Sequence, residues 1–172
     1  MDNYSLPIVA IIGGTQNQLT KEDADIAFEL GKVTTRLGIR PMTKWKNKIY
    51  DALTLGANTL GKAPFVASLD NMEPPPFQED FKLSLDRTYA LYLISASIII
   101  LPGGFDTIAD ASYLLLQDID SQQKRPLFFW GEIWETIINK ISDQKYLYED
   151  QKGRTFFIKN LDDIEKSLSQ FI

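Results

Sequence analysis

Ser97-Ile98-Ile99-Ile100-Leu101-Pro102-Gly103-Gly104-Phe105-Asp106-Thr107 is the stretch on which the reading of the chain turns. Its run of large apolar residues has no polar alternation. It therefore describes a strand covered on both faces, the pattern of a parallel sheet between helices rather than an antiparallel sheet with one wet face. Pro102-Gly103-Gly104 ends the strand, and the helical spacing of apolar residues takes over from Thr107 to Ile119. Two adjacent glycines leave main-chain N–H groups unshielded by any Cβ, and the start of the following helix adds partial positive charge. Together they make a cradle suited to a phosphate. A tight strand-to-helix turn with no ligand would use the same residues.

The same alternation extends in both directions. Ile8 to Ile12, bounded by Pro7 and Gly13-Gly14, is a second buried strand with a glycine turn at its end, which makes Gly13, Gly14 and Thr15 further phosphate or ribose candidates. Thr20 is placed to cap a helix through Asp23, and Ile26, Ala27, Leu30, Val33 and Leu37 form its apolar face up to Gly38. Ile39 to Met42 is a short strand whose Arg40 and Pro41 suggest an edge or near-edge position. A helix over Lys46 to Leu60 and a strand over Ala63 to Leu69 follow, and then the loop containing Pro74-Pro75-Pro76. Beyond it come a helix over Glu79 to Ser95, the strand quoted above and its helix, and a strand over Leu127 to Trp130. A helix over Ile133 to Ile141 aligns Ile133, Ile137, Ile138 and Ile141. A strand over Thr155 to Ile158 leads to a last helix capped by Asn160, with Leu161, Ile164, Leu168 and Phe171 in helical register. Strand and helix in regular alternation imply one α/β domain spanning residues 1–172. The architecture expected is a Rossmann-like, doubly wound parallel sheet flanked by helices, with ligands bound beyond the carboxyl ends of the strands.

Composition narrows the chemistry. The 172 residues include no cysteine and no histidine, which excludes disulfides, thiolate or imidazole metal sites, cysteine nucleophiles and His-dependent triads. Acid–base work falls to carboxylates, Lys or Tyr. No metal and no cofactor are expected, and no local pattern marks a lysine for pyridoxal chemistry. A net charge of −5 disfavours nucleic acid polymers and anionic membranes while leaving small anionic ligands open. The first residues lack the positive region of a secretion signal, and no apolar run is long enough to span a bilayer, so a cytoplasmic location is expected.

Pro102, Gly103, Gly104, Asp106, Thr107 and Asp110 fall on the fixed positions of the signature P-G-G-x-G-T-x-x-E, with four identities and one conservative change. Arg87 lies fifteen residues before Pro102, where that signature's family carries an arginine. In these features the chain resembles the LONELY GUY (LOG) family of the SLOG superfamily, phosphoribohydrolases once labelled lysine decarboxylases. The resemblance implies a nucleotide or nucleotide-derived ligand, with Pro102, Gly103, Gly104, Phe105, Asp106 and Thr107 at the ligand. It also implies Arg87 and Asp110 as the pair that cleaves the N-glycosidic bond of a nucleoside 5′-monophosphate to base and ribose 5-phosphate. A carboxylate and a guanidinium beside an oxocarbenium-like sugar suit that reaction. A homodimer packed through helices is implied too. The helix around Tyr89, Tyr92 and Leu93, and the Tyr113-Leu114-Leu115-Leu116 run, carry more apolar surface than one sheet face needs.

Three departures from the family pattern matter. Asp106 replaces a glycine and can cap its own helix by accepting from the amides of Ile108 or Ala109. Asp110 is one methylene shorter than Glu, a displacement on the order of 1 Å that can cost roughly a hundredfold in rate. Where the family has a second glycine-rich turn, this chain has Thr43-Lys44-Trp45-Lys46-Asn47-Lys48, in which Lys44 can supply positive charge and Trp45 can stack on a base. A hydrolase, a non-catalytic ligand sensor or carrier, and a subunit with a degenerate site are all compatible with these residues.

Overall fold

Ile8–Ile12 forms the central strand, β1, and is buried along nearly its whole length because both faces of the sheet carry helices. The computed structural model describes residues 6–14, 20–44, 48–61, 66–68, 81–120, 125–144 and 149–171. Helix α1 (Lys21–Arg36) follows β1. Its start is fixed by a reciprocal capping box in which the Thr20 hydroxyl accepts from the Asp23 amide at 3.1 Å and the Asp23 carboxylate accepts from the Thr20 amide at 3.0 Å. Its end is fixed by Gly38, whose φ of 68° only glycine adopts without strain. Then come β2 (Arg40–Thr43), α2 (Lys48–Asn58), β3 (Ala67–Ser68), α3 (Phe81–Ile94), β4 (Ser97–Ile100) and α4 (Phe105–Asp120). The chain finishes with β5 (Leu127–Trp130), α5 (Glu132–Asp143), the short α6 (Glu149–Lys152), β6 (Thr155–Ile158) and α7 (Leu161–Phe171).

Among the described residues six strands pair, all parallel, in the order β3-β2-β1-β4-β5-β6. Order reverses between β1 and β4, so the carboxyl ends of these two strands flank the topological switch point where a crevice opens. One core layer packs Ala10, Ile12, Ile98, Ile100 and Phe129 against α3, α4 and α5, and the other packs Val9, Ile11, Ile99 and Phe128 against α1, α2 and α7. The expected doubly wound α/β architecture is the one observed.

Several boundaries differ from the sequence reading, each for a local reason. Pro41 is tolerated in β2, a near-edge strand, because Arg40 donates its N–H to Pro7. The proline nitrogen therefore faces the β3 side, where among the described residues the pairing is with Met42 and Thr43. Helix α4 begins at Phe105 rather than Thr107. In α5, Ile133 is 56% exposed and does not join Ile137, Ile138 and Ile141; Trp134 takes the buried place instead. The single-turn α6 was not expected from periodicity. The proline loop lies outside the described residues.

Candidate functional site

The ends of β1 and β4 meet closely. A Cβ on Gly13 would stand 2.6 Å from the Ile49 side chain and 3.1 Å from Leu101. A Cβ on Gly103 would overlap the Thr107 hydroxyl and come within 2.9 Å of the Gly14 amide nitrogen. Gly103 is thus required by contact rather than by backbone angle, whereas at Gly13 the clash falls on the flexible end of Ile49; Gly103 brings the two turns side by side at Gly14. Trp134 supports the β4 turn from α5 by donating its indole N–H to the Leu101 carbonyl at 3.2 Å.

Gly104 precedes α4, and its carbonyl accepts from the Ile108 amide at 3.1 Å. The expectation that Asp106 would take that amide is therefore corrected: Asp106 sits inside the first turn, where its carboxylate receives a long 3.5 Å contact from Thr107. The amides of Phe105, Asp106 and Thr107 precede the first intrahelical donor, so helix geometry points them out at the mouth. Gly103 is exposed, Phe105 is 88% exposed, and Thr107 is fully buried.

Deeper in, Lys44 at the end of β2 reaches across the end of β1 to Asp110 in the second turn of α4, with Nζ 2.5 Å from Oδ2. The other carboxylate oxygen accepts from the Thr88 hydroxyl of α3 at 2.7 Å, and Lys44 also lies 3.5 Å from that hydroxyl. Lys44, Thr88 and Asp110 are all buried, so the charges offset one another in a poorly solvated place. Arg87, adjacent to Thr88 on α3, is buried as well. Gly13, Gly14, Lys44, Pro102, Gly103, Gly104, Phe105, Asp106, Thr107 and Asp110 thus lie at or just beyond the carboxyl ends of β1, β2 and β4, Arg87 is placed only as the buried neighbour of Thr88 on α3, and Thr15 and Trp45 lie outside the described residues. Thr88 and Trp134 were missed by the sequence reading. A threonine inside a helix, next to the candidate arginine, was the available signal for the first; nothing local marked the second.

Among the described residues no helix is long and apolar enough to cross a membrane. Neither a protein-family model nor a curated protein matches the chain in sequence. Solved structures do match it in shape. The molybdenum cofactor binding protein of Rippkaea orientalis superposes with a TM-score of 0.65 at 14% identity, over 96% of each chain. The molybdenum cofactor carrier protein of Chlamydomonas reinhardtii gives 0.61 at 14% identity, over 96% of this chain and 98% of that one. DNA processing protein A of Helicobacter pylori, described for its single-stranded DNA binding mode, gives 0.63 at 15% identity, over 98% of this chain and 82% of that one. At such identities the likeness speaks for architecture alone, and it shows a Rossmann-like fold for this chain.

Proposed function

We propose that the protein binds a phosphorylated, nucleotide-like small molecule at the β1/β4 crevice and holds it without hydrolysing it, as a carrier or sensor. The observation that carries this reading is the closed Lys44–Asp110–Thr88 triangle beneath the amide cradle. The cradle suits a phosphate, and exposed Phe105 offers an aromatic face to a ring. Asp110, the counterpart of the LOG family's glutamate, already holds an ammonium on one oxygen and a hydroxyl on the other. A carboxylate so engaged is poorly placed to activate water or stabilise a developing cation. That two of the structurally similar proteins are described as binding or carrying the molybdenum cofactor supports a holding role for this fold.

Hydrolysis by Arg87 and Asp110, with membership of the LOG family, is the competing reading and rests on the signature residues. One experiment separates the two: calorimetric titration with AMP, ADP, a cyclic nucleotide, the molybdenum cofactor and a single-stranded oligonucleotide, with chromatography for free base. The expected result is saturable binding of a small ligand with no base released and no binding of the oligonucleotide. Gly103→Ala, whose methyl would displace Thr107 and the Gly14 amide, should weaken binding at least about fivefold, the worth of one lost hydrogen bond of ~1 kcal/mol. Release of base that stops in Asp110→Asn would establish the hydrolase, and no heat with any ligand would leave only the architecture.

We also propose that the chain is a homodimer through α3 and α4. Tyr89, Leu93, Ile94 and Leu116 are large, exposed and apolar on these neighbouring helices, and Tyr89 and Tyr113 meet edge to face at 6.5 Å between ring centres.

A further inference from the structure

Among the described residues β6 ends the sheet at the edge opposite β3. β6 is a four-residue Thr-Phe-Phe-Ile run with no proline and no inward charge. The carbonyls of Arg154 and Ile158 accept from Leu127 and Gly131, so they turn toward β5. By the period of two in a strand, Thr155 and Phe157 turn their N–H and C=O groups away from β5, toward the open side. A cleft borders this edge on each face. On the α7 side one of about 420 Å³ is lined by Phe156, Phe157 and Ile158 with Asp163 and Lys166. On the α5 side one of about 160 Å³ is lined by Thr155, Phe157 and Ile138 with Lys152. Phe157 lines both, as expected of a strand with open space above and below its outer rim.

We infer that this edge pairs with the β6 of a second copy, antiparallel about a two-fold axis through Phe157. The sequence is self-complementary in that register. Phe157 stands opposite its own copy, Phe156 opposite the partner's Ile158, and Thr155 opposite the partner's Lys159. Residues directly opposite in an antiparallel pair share a face. The partner's Phe156 and Ile158 therefore lie on the side of the larger cleft, and the partner's Phe157 on the side of the smaller one. Apolar residues meet apolar residues in both layers, and the outward main-chain groups of Thr155 and Phe157 acquire partners. Lys159 is held to Glu135 of α5 at 3.1 Å, so the charge at each end of the pairing already has a counter-ion in its own chain. The surface is separate from the ligand crevice and from the α3/α4 face, and does not depend on either reading above.

Because the chain has no cysteine, one engineered thiol reports on this contact alone. Opposed residues of a hydrogen-bonded antiparallel pair lie about 5.5 Å apart at Cα, within disulfide range. Phe157→Cys, and separately Thr155→Cys with Lys159→Cys, which leaves Phe157 intact, should oxidise to a covalent dimer. Ser169→Cys on the outer surface of α7 should not. In the unmodified protein, hydrogen exchange at the Thr155 and Phe157 amides should slow roughly tenfold or more as concentration is raised through the dimer's dissociation constant. Absence of a covalent dimer from both thiol variants, or exchange at these two amides that ignores concentration, overturns the inference. Either result would leave the edge to a strand from another protein or to solvent.

Discussion

Asp110 is a carboxylate whose surroundings decide what it can do. Buried beside Lys44 and Thr88, it contributes little net stability as part of an intact pair, because desolvation offsets attraction. Removing one partner is a different matter, since it strands the other charge away from water at a cost of about 3–5 kcal/mol. Lys44→Met and Asp110→Asn should each destabilise on that order in chemical denaturation. The double variant should recover much of the loss, giving a coupling energy of roughly 2 kcal/mol or more. Additive losses would mean that the pair is not a unit, and would return Asp110 to the role of an available acid. The sequence could not show this contact, because Lys44 and Asp110 are sixty-six residues apart and no local periodicity links them. The glycines and Thr107 were legible, because a turn at a strand's end is a local event.

Elements were read best where one local pattern fixes them and worst where packing between elements decides. Thr20, Gly38 and Asn160 mark helix ends by their own chemistry, and the Asn160 side chain does accept from the Asp163 amide at 2.9 Å. The alignment of Ile133 in α5 failed because apolar spacing does not say which of two adjacent large residues turns inward; Trp134 bonds Leu101 and takes the core side. Gly31 and Gly56, both inside helices, were equally silent in the sequence. In the fold they let α1 and α2 approach main chain to main chain: a Cβ on Gly31 would run into the Leu53 carbonyl, and one on Gly56 into that of Phe28. Helix propensity alone favours alanine over glycine by about 1 kcal/mol, whereas forcing a methyl against rigid backbone costs about 1–3 kcal/mol. The second effect should win. Gly56→Ala should lower the melting temperature by several degrees in calorimetry, and a rise would show that the two helices can separate freely.

For the whole molecule, the alternation of buried strands and amphipathic helices dictated layers and strand direction, while the proposed assembly rests on the surfaces left over. Leu93 is 51% exposed and Leu116 is 56% exposed, on helices whose other faces are sealed into the core by Leu91, Tyr92, Leu114 and Leu115. Exposed positions of this kind tolerate substitution within about 0.5 kcal/mol, so replacing both with lysine tests association without testing folding. The Leu93→Lys, Leu116→Lys protein should keep its melting temperature at dilutions where the native protein is already dissociated. In light scattering at high concentration its mass should fall to half the native value, because a two-fold contact places each new lysine near its own copy or its neighbour's, where like charges repel. Any covalent dimer formed through Phe157→Cys should persist in this background, since β6 lies at the sheet's far edge, separated from β4 by β5. An unchanged mass would make the α3/α4 stripe ordinary surface and shift the weight of assembly to the β6 edge.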